Sequence, residues 1–405
     1  MLASVAKRWN RMETWLTLAV LGVGGLIAAI AGLHTYMTVM ATPLHPDPQR
    51  MPSTVAAEPT AEWAEAVGRA RQLVRTGVAE QNLSGLSVAV GVGTDIVWAE
   101  GFGFADLDRR SGVTPETRFR LGTASTVLTS AAVGLLLEHG RLRLDDEIQV
   151  YVPAYPTQRW PVTLRQVMGH VAGIRSDGGD EGPLLGQHCD RPAEALAEFA
   201  ERPLLFEPGT DYRFSRYGWI VVSAAIEAAT SRAFAHVMRD EVFVPLGMAD
   251  TRLDVAAEHS ARRATSYFPR YAAEPHYGLD LMRPIDTSCY AGAMAFVSTP
   301  SDLVRFGMGI QRDTLLRPET RHLLQTSQRR RSGADTGYGL GWDLETVTLA
   351  GKATPVVGHD GDLLGGRVAS LLVVGERGLV IAVTSNTSYA DTATLALRIA
   401  EAFAR

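Results

Sequence analysis

Lysine is nearly absent from this chain. Lys7 and Lys352 are the only two among 405 residues, so arginine carries almost all the positive charge. That scarcity limits where an amine base can come from. Cysteine is equally scarce: Cys189 and Cys289 are the only two, too few for a four-ligand zinc site, and neither lies in a CxxC. Free buried thiols are the simpler expectation for the pair. A disulfide is the alternative, and the sequence does not show whether the two Cα atoms approach. No charge of one sign dominates, because the formal net charge is -5. Nothing therefore points to a nucleic-acid partner. There is no HExxH, no GxGxxG with a following acidic residue, no GxSxG elbow and no zinc spacing. No metal and no cofactor is expected. What the chain does have is apolar content of 46% with charged content of 20%, enough to fill a sizeable core.

Trp15 to Leu33 is uncharged and dominated by Leu, Ala, Val, Ile and Gly. As a helix it spans roughly 28 Å, close to the hydrocarbon thickness of a bilayer. Lys7, Arg8 and Arg11 precede it, and no Lys or Arg follows until Arg50. The positive-inside rule then gives a cytoplasmic segment at 1–14, a single transmembrane helix at 15–36 and everything later outside. The rival reading is a signal peptide cut after Val39-Met40-Ala41, but the run exceeds the roughly 7–15 residues of a signal h-region. Gly24, Ala28 and Gly32 leave one face of this helix small, a weak cue for helix–helix contact. Pro43, Pro46, Pro48, Pro52 and Pro59 mark 37–60 as a semi-extended linker. The globular domain is placed at 61–405. The high ratio of arginine to lysine hints at a GC-rich bacterial source. The expected location is the cytoplasmic (inner) membrane with the main domain periplasmic or extracellular.

Within 61–405, Ala61 to Gln81 has the spacing of an amphipathic helix. Leu86 to Val92 and Ile96 to Phe102 flank a Gly-containing turn and predict a hairpin. Thr126 to Leu137 is apolar almost all round and ends at Gly140, which predicts a buried helix with a glycine stop. Val356 to Val374 and Gly378 to Thr384 predict two further strands, and Leu395 to Ala404 a closing helix. Strands at both ends with helices between predict an α/β (α+β) sandwich.

Gly101-Phe-Gly-Phe-Ala-Asp-Leu-Asp, then Phe119-Arg-Leu-Gly, Leu144-Asp-Asp-Glu-Ile, Tyr151-Val-Pro and Gly169-His-Val-Ala-Gly-Ile follow one another in order. After them come Phe206-Glu-Pro-Gly-Thr, Pro245-Leu-Gly-Met, Ala291-Gly-Ala-Met-Ala-Phe-Val-Ser-Thr and Gly358-His-Asp-Gly. This series resembles the serine β-lactamase-related, penicillin-binding-protein-like family, with class C lactamases, D,D-peptidases, esterases and the animal mitochondrial lactamase-like proteins as the nearest look. The resemblance implies the β-lactamase/transpeptidase-like fold: an antiparallel sheet with flanking helices plus a helical subdomain. It also implies acyl-transfer chemistry. A serine attacks a carbonyl, and a lysine one helical turn later helps take its proton. A Tyr-x-Asn segment adds a phenol and an amide. A Lys-x-Gly or His-x-Gly strand lines the opposite wall and helps form the oxyanion hole.

Carried onto this chain, the family positions are altered. Thr123 takes the serine position and Thr126 the lysine position in Thr123-Ala124-Ser125-Thr126. A hydroxyl at Thr126 has no useful basicity near neutral pH. Shifting the register to Ser125 puts Leu128 at the partner position. The one literal Ser-x-x-Lys, Ser4 to Lys7, precedes the membrane helix. The second motif reads Phe214-Ser215-Arg216, so the phenol is lost and the amide becomes a guanidinium. The third reads His359-Asp360-Gly361, followed by Asp362. The resemblance puts the oxyanion donors at the backbone N–H groups of Thr123 and Asp362. Ser215, Asp360, Gly361 and Asp362 are the candidate substrate-lining positions, and an Arg216–Asp362 ion pair is expected. Plainer readings stand beside these: Thr123 or Ser125 as a helix cap, His359 as a hydrogen-bonded strand residue, His170 as a packing residue, Asp145 and Asp146 as a turn, and Gly337-Tyr-Gly-Leu-Gly as a strand start.

The expected function is a degenerate, membrane-anchored pseudoenzyme that binds cell-wall peptide or a protein partner. One alternative is an active esterase, D,D-peptidase or β-lactamase-type hydrolase acting on a small acyl substrate with Thr123 as nucleophile and His359 as base. The other is a structural scaffold or filament former.

Overall fold

Strands that are apolar on both faces need cover on both sides. That requirement sets the architecture. The computed structural model describes residues 2–176, 182–254, 262–271 and 273–404, with side chains from residue 15 onward. The side chains of Ser4, Lys7, Arg8 and Arg11 thus lie outside the described set. Seven strands form the main sheet: β1 (Ser53–Val55), β2 (Gly85–Val92), β3 (Asp95–Asp106), β4 (Asp343–Leu349), β5 (Lys352–Leu363), β6 (Gly366–Val374) and β7 (Leu379–Ser385). Their order is β1-β3-β2-β7-β6-β5-β4, and every neighbouring pair is antiparallel. Ser111–Gly112 adds a short eighth strand beside β3.

The principal helices are α1 (Leu2–Met40), α2 (Ala64–Glu80), α3 (Ser125–Glu138), α4 (Arg216–Thr230), α5 (Pro300–Gln311) and α6 (Thr392–Ala404). Helices α2 and α6 cover one sheet face through Val67, Val74, Val78, Leu395 and Ile399 against Leu86, Val88 and Ile381. The other face packs on Val304 of α5, Leu128 of α3 and the helical subdomain that contains α4. This is the β-lactamase/transpeptidase-like arrangement expected, with one apolar N-terminal helix ahead of it. Helix α3 stops where its glycine stands: Gly140 adopts φ +66°, and the N–H of Arg141 returns to the carbonyl of Leu136.

Four expectations are corrected. Residues 356–374 are two strands, because Leu364 and Gly365 both take positive φ and turn the chain between β5 and β6. Strand β4 begins at Asp343, after the glycine cluster 337–341 rather than within it, and its mixed polarity gave no strand pattern. The stretch 41–60 is not a free spacer. The N–H of Leu44 donates to Asn82 Oδ1 (2.7 Å), His45 Nε2 bonds the carbonyl of Leu83 (3.0 Å), and β1 pairs with β3. Arg75 donates to the carbonyls of Pro48 (3.0 Å) and Met51 (2.9 Å) and to Ser53 Oγ (2.6 Å). Proline leaves carbonyls free, and here one arginine collects them. Finally, Cys189 and Cys289 are joined in a disulfide. The turn Ser288–Tyr290 brings their Cα atoms to 4.8 Å across 100 residues of chain.

Candidate active site

The site forms where β5 meets the turn before α3. Gly122 sits at φ +54° in that turn, and a Cβ there would stand 2.3 Å from the carbonyl oxygen of Asp362. A Cβ on Gly361 would stand 2.0 Å from the carbonyl oxygen of Leu121. Two glycines therefore let the two backbones lie flush. The third wall is the start of α4, where Phe214, Ser215 and Arg216 stand.

That close approach decides the fate of Thr123. Its Oγ1 donates to the carbonyl of Asp360 (3.1 Å) and accepts from the N–H of Asp362 (2.8 Å). Thr123 is 3% exposed and Thr126 is fully buried. The Asp362 N–H, expected as an oxyanion donor, is thus spent on the hydroxyl beside it. Thr126 Oγ1 turns back to the carbonyl of Thr123 (2.9 Å), leaving no base at the lysine position. The capping reading of Thr123 and Ser125 is corrected: no side chain caps α3, and Ser125 Oγ instead accepts from the N–H of Phe296 (3.3 Å).

His359 is buried and faces Tyr338. Its Nδ1 lies 2.5 Å from the carbonyl of Asp360, and its Nε2 lies 3.0 Å from Tyr338 Oη. A carbonyl only accepts, so Nδ1 carries the proton and Tyr338 donates to Nε2. Both ring nitrogens are committed, and neither is committed to Thr123. The Asp360 carbonyl receives the protons of both Thr123 and His359. Burial drives the Tyr338 phenol well above its usual range, with the nearby Asp343 charge adding to it. Tyr338 therefore stays a donor.

Around this pair the cleft is filled with rings. Phe214 lies 4.3 Å from His170 and 6.1 Å from His359, centroid to centroid. His170 is 4.7 Å from Tyr338. The ring Nδ1 of His170 accepts from the N–H of Ser215 (3.1 Å), and its Nε2 faces the indole N–H of Trp219 (3.3 Å). Complete burial, reinforced by His359, holds His170 well below its ordinary value and hence neutral. Packing is the role the structure gives His170, as the plainer reading had it.

The remaining positions divide by sheet face. Asp360 points away from the cleft, toward α6: Ser370 Oγ donates to Oδ1 (2.6 Å), and Arg367 pairs with Oδ2 (3.1 Å). Burial raises its carboxyl above the usual range. Its side chain is thus not a cleft residue, as alternation along β5 requires. Ser215 is buried, and its hydroxyl accepts from the N–H of Gly218 to cap α4 (3.2 Å). It too is corrected from a substrate-lining to a capping residue. Asp362 escapes the alternation because the register shifts at Gly361/Asp362. Its Oδ2 reaches Arg216 Nη2 at 3.7 Å, with the two side chains 44% and 15% exposed, so the expected ion pair spans the mouth. Sequence reasoning missed Tyr338 and Asp343. The Gly-rich run around Tyr338 was the one available signal.

A nucleophile-position turn, a helix-start wall and a His-x-Gly strand around one cleft define the architecture of the serine acyl-transfer hydrolases. The Beta-lactamase family profile matches residues 70–404, and the chain belongs to that family. The chain is 24% identical over 285 residues to Penicillin-binding protein 4* of Bacillus subtilis (strain 168), covering 68% of this chain and 62% of that protein. It is 24% identical over 458 residues to the mitochondrial serine beta-lactamase-like protein LACTB of Homo sapiens, covering 87% and 82%. The solved D-stereospecific amidohydrolase from Streptomyces sp. shares the fold, with a TM-score of 0.68, 19% identity and coverage of 82% and 98%.

Proposed function

We propose that this protein is a membrane-anchored pseudoenzyme. Its cleft keeps the family shape and binds a cell-wall peptide or a protein partner, without forming an acyl-enzyme. The observation that carries this reading is the hydrogen bonding of Thr123. Its proton goes to a backbone carbonyl, and its lone pair meets the Asp362 N–H. A hydroxyl becomes a nucleophile when a base takes its proton in the transition state. Here the imidazole of His359 is engaged by Tyr338 and by the carbonyl of Asp360. Losing a general base alone forfeits roughly 10²–10⁴ in rate. The phenol at Phe214 is missing as well.

Helix α1 supports the anchor. Trp15–Met40 is long and apolar enough to cross a membrane, and none of its most apolar stretch is buried against the protein. The basic residues before it favour a cytoplasmic N-terminus and a periplasmic or extracellular domain. The deciding experiment treats the full-length protein with a labelled penicillin and a fluorophosphonate. No covalent adduct is expected, together with a melting shift on adding muropeptides. An adduct that disappears in Thr123→Ala would instead establish an active threonine hydrolase. Neither adduct nor shift would favour a scaffold role.

A further inference from the structure

The distance between the membrane helix and the folded domain is very short. Helix α1 ends at Met40, and Leu44 is already hydrogen-bonded to Asn82. Three intervening residues reach only about 10–14 Å when fully extended. The domain therefore stays close to the Met40 end of the helix. The side it turns to the helix is also fixed. Counting about twenty residues from Trp15, the length that crosses the hydrocarbon, arrives at His34. His34 Nδ1 lies 3.3 Å from Tyr277 Oη, and the two rings meet edge-on at 6.1 Å. Tyr36, 53% exposed, stands at the same level of the helix. Tyrosine at this depth is characteristic of the headgroup boundary.

Tyr277 ends the turn Pro275–Tyr277, which leads into the short strand Leu279–Leu281. Leu281 is 63% exposed, whereas Tyr267, directly opposite it in the hairpin, is buried. An apolar side chain thus projects from the same hairpin that touches the membrane helix. We propose that this hairpin, through Tyr277 and Leu281, inserts into the headgroup–acyl boundary of the leaflet at the Met40 end of α1. The lipid surface is then a second, docking contact of the domain. Both ends of the hairpin are tied to the domain interior. Phe268 meets Tyr389 at 5.5 Å, and Arg120, on the strand that leads to Thr123, touches Met282 Sδ at 3.7 Å. Docking would therefore fix the orientation of the cleft relative to the bilayer.

The inference rests on the membrane-anchor reading of α1. Its test uses the full chain in lipid nanodiscs. With both native cysteines bridged, Leu281→Cys supplies one free thiol for a bimane label under non-reducing conditions. Val150→Cys and Val244→Cys, at side chains 64% and 66% exposed on other elements, serve as controls. Lipids carrying a shallow nitroxide are expected to quench the label at 281 at least threefold more than at either control. Equal quenching at all three sites, in protein that resists carbonate extraction, would overturn the docking and leave the anchor standing. Release of the protein by carbonate would remove the anchor and the docking together.

Discussion

Thr123 differs from a reactive hydroxyl in where its proton points. Replacing it with valine keeps the shape and removes both bonds, leaving the Asp362 N–H without its acceptor and the Asp360 carbonyl with only the His359 proton. Thr123→Val is expected to lower stability by about 1–3 kcal/mol, read by denaturant unfolding. The size of that loss measures how firmly the hydroxyl is held. His170 gives a pH signature. It is neutral in the fold, with a value held below the ordinary 6.5, so the unfolded chain binds more protons as pH falls. The associated stability is complete above about pH 6.5 and declines below it, by up to about 1.4 kcal/mol per pH unit. His170→Gln keeps an acceptor for the Ser215 N–H and is expected to flatten the decline between pH 7 and 5, measured by thermal melts. At this scale much of the site was legible. Thr123, Thr126, Phe214, Arg216 and His359 do converge, and Arg216 does meet Asp362. The directions of Asp360 and Ser215 were not legible, because a motif names positions along the chain and says nothing of which face a strand or helix end presents.

At the scale of elements, the approach of β5 to the turn before α3 depends on small backbones. Gly361→Ala places a carbon 2.0 Å from the carbonyl oxygen of Leu121. The two segments must separate, at a cost of about 1–3 kcal/mol or more. The Thr123–Asp362 bond should loosen with them, visible as faster amide exchange at Asp362. The tether depends on one side chain. Arg75→Ala removes the donor shared by Pro48, Met51 and Ser53. Tryptic cleavage after the exposed Arg50 is expected to accelerate several-fold, while cleavage elsewhere is unchanged. Helix α2 was readable from its amphipathic spacing, α3 from an apolar run that ends at a glycine, and the β2–β3 hairpin from two apolar runs around a Gly-containing turn, because each of these signals is local. The linker was misread for the opposite reason. Its composition is that of a free spacer, and its order comes from partners supplied by β3, Asn82 and Arg75, far along the chain.

At the scale of the whole molecule, the disulfide closes a loop of 100 residues between the helical subdomain and the turn Ser288–Tyr290. A closure of that length stabilises by about 4–5 kcal/mol in the chain-entropy view. The double variant Cys189→Ser, Cys289→Ser is expected to melt about 5–8 °C lower by calorimetry. No local pattern announces such a pairing, since it depends on the fold already being formed. Its consequence reaches into how the protein is made. Larger cysteine sets can shuffle among many partners: four admit three complete pairings and six admit fifteen. Two cysteines admit one. Oxidation within a single molecule has no scrambled isomer to correct, so an oxidant suffices and an isomerase has nothing to rearrange. The remaining wrong product is a cross-link between two molecules, and dilution alone suppresses it.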